Sequence, residues 1–392
     1  MRGLIIFLLG GLILSPLSTE AFPQAVAKLI LGRPVNESAL KKEVEHLDTF
    51  ISPIIAATDA ITVVQVEVGK PKVTLSVLVI EPRHYGFKVQ ETIETKNDRD
   101  FSYSLAFNID GDVIYEPTEA ILDSFREESE DADSFDLNAE QISKILAVQA
   151  RAGGMIHSTD QPKTVFLLLG YGVPKQAAIP MALKLADHGI RSVIPDLRGQ
   201  GDSGGKGVTW GKHEPDDLAA LLSELQRKGT VVEETVAVMG VSYGAVMASL
   251  WAARDSRIET LLLAAPYSRA DTTIVAAYQE FIGATKLPFS FKEKTLIRGT
   301  EIAARRLQSS WEDLSTTAAI GSITKPVLFI ASSGDEVIPV EEVSELVDLS
   351  PAGSQLHVCD DLPHVLLGMN FTELETIALD WFAETGFLEK AE

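Results

Sequence analysis

One cysteine, Cys359, stands in 392 residues. That excludes an internal disulfide framework and any multi-cysteine zinc or iron–sulfur site. Basic residues are scarce beside acidic ones: 34 Lys plus Arg against 56 Asp plus Glu, a formal net charge of −22. A surface this acidic repels phosphate backbones, so nucleic acid is not an expected partner. No uninterrupted apolar run reaches the about 20 residues of a membrane helix, so no stable membrane span is expected in the mature chain. No internal repeat occurs. What remains is ordinary globular material, 45% hydrophobic and 23% charged, long enough to bury a substantial core in one large domain or two smaller ones. Oligomeric state stays open.

The first residues read as an export signal. Arg2 precedes an apolar run over residues 3–14, which Ser15-Pro16 ends. Thr19-Glu20-Ala21 then sets small residues three and one positions before a cut ahead of Phe22. About 12 apolar residues cover about 18 Å as a helix, well under the roughly 30 Å hydrocarbon core. Residues 1–21 are therefore expected to be removed and the protein exported, periplasmic or secreted. Its cysteine poverty suits a bacterial periplasm. The alternative is an uncleaved anchor that tethers the chain. Residues 22–160 form an N-terminal extension, helical to about 60. Val64, Val66 and Val68 then alternate, Gly69-Lys70-Pro71-Lys72 turns, and Val73, Leu75, Val77 and Val79 return as a hairpin. A second hairpin is expected from Phe101 through Asp110-Gly111 to Tyr115. One of the two should supply the first antiparallel strands of the following domain. The carboxylate-rich stretch from Arg126 to Asp136 reads as a solvated acidic loop ahead of a metal site.

From about residue 162 the pattern alternates strand and helix. Strands are expected at residues 164–169, 191–195, 234–239, 258–264, 326–331 and 355–359, with helices at 176–187, 214–227 and 243–253 between them. Fully apolar strands separated by amphipathic helices imply an α/β fold with a mostly parallel sheet covered on both faces. Ligands in such sheets bind beyond the carboxyl ends of the strands.

Gly240-Val241-Ser242-Tyr243-Gly244 lies between a strand and a helix. Two glycines flanking a serine there permit the close turn that lifts its hydroxyl above the sheet. Such a hydroxyl needs a base, and the base needs an orienting carboxylate. Asp335 follows the strand at 326–331, and His364 lies in the exit loop of the last strand. His357 within a strand, His188 at a helix end and His213 upstream of the serine fit less well as the base. Asp271, after the preceding strand, competes with Asp335 as the acid.

The order Ser242, Asp335, His364 resembles that of the α/β-hydrolase superfamily. Leu168-Leu169-Gly170-Tyr171-Gly172 looks like its His-Gly-x-Gly loop, although Leu169 stands where histidine is usual. The segment from Asp196 to Gly205, with Arg198, Gly199, Gly201 and Ser203, is similar to serine-aminopeptidase-like, monoacylglycerol-lipase-like and dienelactone-hydrolase-like members. The resemblance implies a catalytic domain at about 161–388 with a helical lid at about 267–324. It implies backbone N–H donors at Tyr171 and Tyr243 for an oxyanion. Arg198, Glu214 and Asp217 are expected to be structural. Tyr278, Phe281, Phe289 and Phe291, in the lid, could line an acyl pocket.

Together these features imply a serine hydrolase that cleaves carboxylic esters through an acyl-enzyme. Its substrate would be a small ester or acyl compound with an apolar part, and the chemistry calls for no cofactor and no metal. A peptidase or amidase ranks second. A non-catalytic binding protein on the same fold ranks third.

Overall fold

The hairpin from Ile61 forms as expected, with β1 (Ile61–Val68) and β2 (Val73–Ile80) antiparallel from Ile61↔Ile80 to Val68↔Val73. The computed structural model describes residues 21–33, 58–83, 85, 162–279 and 292–389, with the backbone of short strands between 88 and 115. After the hairpin come β3 (Lys163–Leu168), β4 (Ile190–Pro195), β5 (Val236–Val241), β6 (Ile258–Ala264), β7 (Val327–Ser332) and β8 (Gln355–Cys359). All eight join one sheet in the order β1-β2-β4-β3-β5-β6-β7-β8, in which β2 alone runs against its neighbours. The first hairpin of the extension thus supplies the antiparallel edge. The second expected hairpin is present in its return, with Phe107↔Tyr115 and Ile109↔Asp112 paired, while Phe101 pairs separately with Ile93. The acidic stretch from Arg126 to Asp136 lies outside the described residues.

Every residue of β4 and of β7 is buried. Successive side chains point to opposite faces, so both faces of the sheet are covered. The covering helices include α2 (Ile179–Ala186), α3 (Glu214–Lys228) and α4 (Tyr243–Ala252). The segment between β6 and β7 holds α5 (Ala270–Tyr278), α6 (Glu293–Leu307) and α7 (Thr316–Ile320). Beyond β7 lie α8 (Val340–Asp348), α9 (His364–Leu367) and α10 (Phe371–Glu384). No helix among the described residues is long and apolar enough to cross a membrane.

The helix at residues 21–30, α1 (Ala21–Ile30), is part of this body. It buries Val26, Ala27 and Ile30, and it packs on α6 so closely that a Cβ on Gly299 would come within 2.2 Å of Val26 Cγ1. Arg306 donates to Gln24 Oε1 at 2.5 Å, and the Trp210 indole donates to the Ile30 carbonyl at 2.8 Å. Arg33 reaches the carbonyls of Gly201 and Ser203 at 2.7 and 2.9 Å. Apolar burial and backbone capping together fasten the start of the extension to the loop after β4. The export signal lies outside the described residues.

Candidate active site

Between the last residue of β5, Val241, and the first of α4, Tyr243, stands Ser242 alone. Its φ of 51° and ψ of −116° lie where side-chain-bearing residues rarely go, a strain of order 1–3 kcal/mol. The flanking glycines make that turn feasible. A Cβ on Gly240 would sit 2.6 Å from Ala245 Cα, and one on Gly244 would sit 2.1 Å from the Leu168 carbonyl oxygen. The strand runs on to Val241, past the expected end at Met239, and carries the chain directly to the serine.

Ser242 Oγ lies 2.9 Å from His364 Nε2, and His364 Nδ1 lies 2.8 Å from Asp335 Oδ2. The other carboxylate oxygen accepts the backbone N–H groups of Val337 and Ile338 at 2.9 and 2.8 Å. That fixes the carboxylate with Oδ2 free to face the imidazole. The Asp335 side chain is fully shielded and that of His364 is 13% exposed, so their interaction is weakly screened by water. The loops carrying the two residues are stitched together. Ser332 Oγ donates to the Leu362 carbonyl at 2.7 Å and accepts its N–H at 2.8 Å, and Ser333 Oγ accepts the N–H of Asp361 at 2.9 Å. Gly334 allows the approach, because a Cβ there would meet the Asp361 carbonyl carbon at 2.6 Å. These contacts were missed in the sequence; the Ser332-Ser333-Gly334 run ahead of Asp335 was their signal.

The loop after β3 lies beside this turn, since Leu168 is paired with Gly240 in the parallel ladder. Tyr171 and Tyr243 donate no backbone N–H to any protein acceptor among the described residues, so both are free to serve an oxyanion. Without the usual histidine, two other side chains shape the loop. Gln200 Oε1 accepts the Gly172 N–H at 2.6 Å. Asp196 accepts the Lys175 N–H and its ammonium, each at 2.8 Å, and Asp202 accepts the same ammonium at 2.5 Å. Lys175 and Asp196 are both buried, so removing Lys175 would leave the Asp196 carboxylate buried without its ion partner, at a cost of about 3–5 kcal/mol. The Tyr171 ring stacks on Trp210 at 5.4 Å, and Trp210 meets the Tyr243 ring edge-on at 5.3 Å. Burial raises both phenols above the ordinary tyrosine value. Neither Gln200 nor Lys175 was picked out from the sequence, because a hydrogen bond across two loops leaves no spacing signature.

The structural residues behave as expected. Arg198 grips Asp217 through two hydrogen bonds of 2.7 and 2.6 Å and donates to the Pro71 carbonyl. Glu214 accepts from the N–H groups of Thr209 and Gly211 and from the Tyr243 phenol. Asp271 is occupied by Arg269, at 3.1 and 2.7 Å, and His364 is oriented by Asp335 instead. His188 and His357 pair with Glu375 and Glu373, both at 3.1 Å. His213 precedes α3 with no side-chain cap, and burial followed by the charge of Arg198 lowers its pKa. Burial, aided by Glu373, pushes the Cys359 thiol up to about 12, which removes it as a rival nucleophile. Tyr278 ends α5 half-buried against the core, whereas Phe281, Phe289 and Phe291 lie outside the described residues.

Residues 159–295 match the family model described as serine aminopeptidase, S33. An uncharacterized protein of Bacillus subtilis (strain 168), YqkD, is 26% identical over 209 residues, which span 53% of this chain and 66% of that relative. Among solved structures, the Pyrococcus furiosus esterase Pf2001 is similar at 18% identity and a TM-score of 0.49, over 83% of this chain and 93% of the esterase. A putative lipase from Acinetobacter baumannii AYE is similar at 13% identity and a TM-score of 0.47, over 91% and 99%. The family match contains β3, the turn at Ser242 and the strands between them, so these residues are similar to that family, and the mostly parallel sheet is that of an α/β fold.

Proposed function

We propose that this protein hydrolyses carboxylic esters through Ser242, His364 and Asp335. The observation that carries the reading is the hydrogen-bonded line from Ser242 Oγ through His364 to a buried carboxylate. His364 Nε2 takes the hydroxyl proton as Oγ bonds to the substrate carbonyl carbon. The backbone N–H groups of Tyr171 and Tyr243 hold the resulting oxyanion. The leaving alcohol receives that proton from His364, which leaves an acyl group on Ser242. A water then loses a proton to His364 and attacks the acyl carbon, and the acid departs as the hydroxyl is restored. The helical segment between β6 and β7 is read as the lid, and Tyr278 within it favours an apolar acyl part.

A panel of p-nitrophenyl esters of graded acyl length tests this reading, with aminoacyl p-nitroanilides alongside. Ester turnover that Ser242 alone supports is the expected result. The serine aminopeptidase family match favours a second reading, amide cleavage at an amino terminus. Faster turnover of the anilides than of any ester would replace the first reading with it.

Gln200 is a positioning residue for the loop after β3. Gln200→Leu is expected to lower kcat by roughly 10- to 100-fold with little change in KM, because a misplaced donor costs on that order. Gln200→Glu keeps the acceptor and should restore most of the rate. A matched loss of thermal stability with unchanged kcat would assign Gln200 a structural part only.

Export is proposed on the sequence of the first 21 residues. A cut ahead of Phe22 would leave Val26, Ala27 and Ile30 to fill their places against α6. Mass spectrometry of protein from a membrane-free fraction is expected to find the amino terminus at Phe22. Intact Met1 in carbonate-washed membranes would show an anchor instead.

A further inference from the structure

We propose that His357, Cys359 and Glu373 form a binding site for one zinc-like divalent cation, apart from the serine chemistry. His357 and Cys359 are two residues apart on β8, so their side chains share one face of an edge strand. Glu373, in the first turn of α10, comes down on that face. One nitrogen, one sulfur and one oxygen, all potential ligands, lie within 4.8 Å of one another. His357 Nε2 already stands 3.1 Å from Glu373 Oε1. Asn370 donates to the other carboxylate oxygen, holding Glu373 as partners outside a metal's ligands do.

Charge and donor chemistry select the ion. A thiolate, a carboxylate and a neutral imidazole together neutralise a divalent cation. Thiolate and imidazole favour zinc and its borderline neighbours over magnesium or calcium, which take oxygen ligands. On coordination the thiol proton leaves to solvent, and the imidazole moves its N–H to Nδ1. The buried thiol lies on the dry side. An open groove lined by His357, Asn370, Glu373, Thr376 and Asp380 borders two of the three ligands and gives an entry path from solvent. A chain expected to need no metal for hydrolysis would thus carry one for another purpose: clamping β8, whose exit loop bears His364, to α10.

Cobalt titration of the chelator-stripped full-length protein tests this, because a thiolate ligand gives Co²⁺ a near-ultraviolet charge-transfer band. The expected result is that band at about one equivalent, reversed by Zn²⁺. Cys359→Ser should abolish it, and His357→Ala and Glu373→Gln should each weaken affinity about tenfold or more. Ser242→Ala should bind unchanged, which separates this site from the hydrolytic one. If Cys359→Ser fails to fold, the half-exposed His357 variant carries the test, with folding followed by circular dichroism. No band in the unmodified protein, or equal zinc affinity in folded His357→Ala, would overturn the proposal.

Discussion

Ser242→Ala should remove ester hydrolysis almost completely, a loss of roughly 10⁶-fold in kcat by analogy with a characterised serine protease triad. The change deletes the atom that bonds to substrate and little else. Ser242 holds its strained backbone through the turn itself: its N–H donates to the Ala264 carbonyl at 2.8 Å, and its own carbonyl accepts from Ala245 at 2.9 Å. Neither contact uses the hydroxyl, so alanine should occupy the same turn with unfolding temperature unchanged. Steady-state kinetics beside thermal unfolding checks both halves. A variant that keeps even a tenth of the rate while folded would remove the serine from the mechanism.

Asp335→Asn should cost roughly 10⁴-fold in kcat by the same kind of analogy. An amide at that position turns an N–H toward His364 Nδ1, favouring the tautomer with its proton on Nε2, where it cannot accept from Ser242. It also withdraws the charge that supports the imidazolium. Asp271→Asn, by contrast, should leave turnover within a few-fold, since that carboxylate serves Arg269 at the start of α5. Kinetics of the pair distinguishes them. A large loss in Asp271→Asn with Asp335→Asn spared would move the acid to the other strand.

Much of this arrangement was legible because its causes are local. Apolar strands such as residues 164–169 and 326–331 need two covered faces, and both fall within one residue of where the sequence pattern put them. Gly240 and Gly244 mark a turn that only glycine permits, so Ser242 was readable from five residues. Asp335 and His364 followed from the ends of β7 and β8. What stayed hidden depends on contacts between distant segments. Gln200 reaches the loop after β3 from the loop after β4, and Asp196 at the end of β4 holds Lys175 within that loop, with no periodicity to betray either contact. The packing of Val26 against Gly299 joins residues 273 positions apart. The meeting of Glu373 with His357 and Cys359 depends on how α10 lies across the edge strand, which composition and spacing do not encode. Leu169, where the family resemblance calls for histidine, left the loop's conformation undetermined until the hydrogen bond from Gly172 to Gln200 was in view.

Fluorophosphonate labelling followed by peptide mass spectrometry tests the central claim most directly, because the reagent reacts with a serine only when a base and an oxyanion site activate it. The account predicts a single adduct on Ser242 in the unmodified protein, strongly slowed in His364→Ala and absent in Ser242→Ala. No adduct on folded, unmodified protein, or an adduct on another serine with Ser242 untouched, would contradict it.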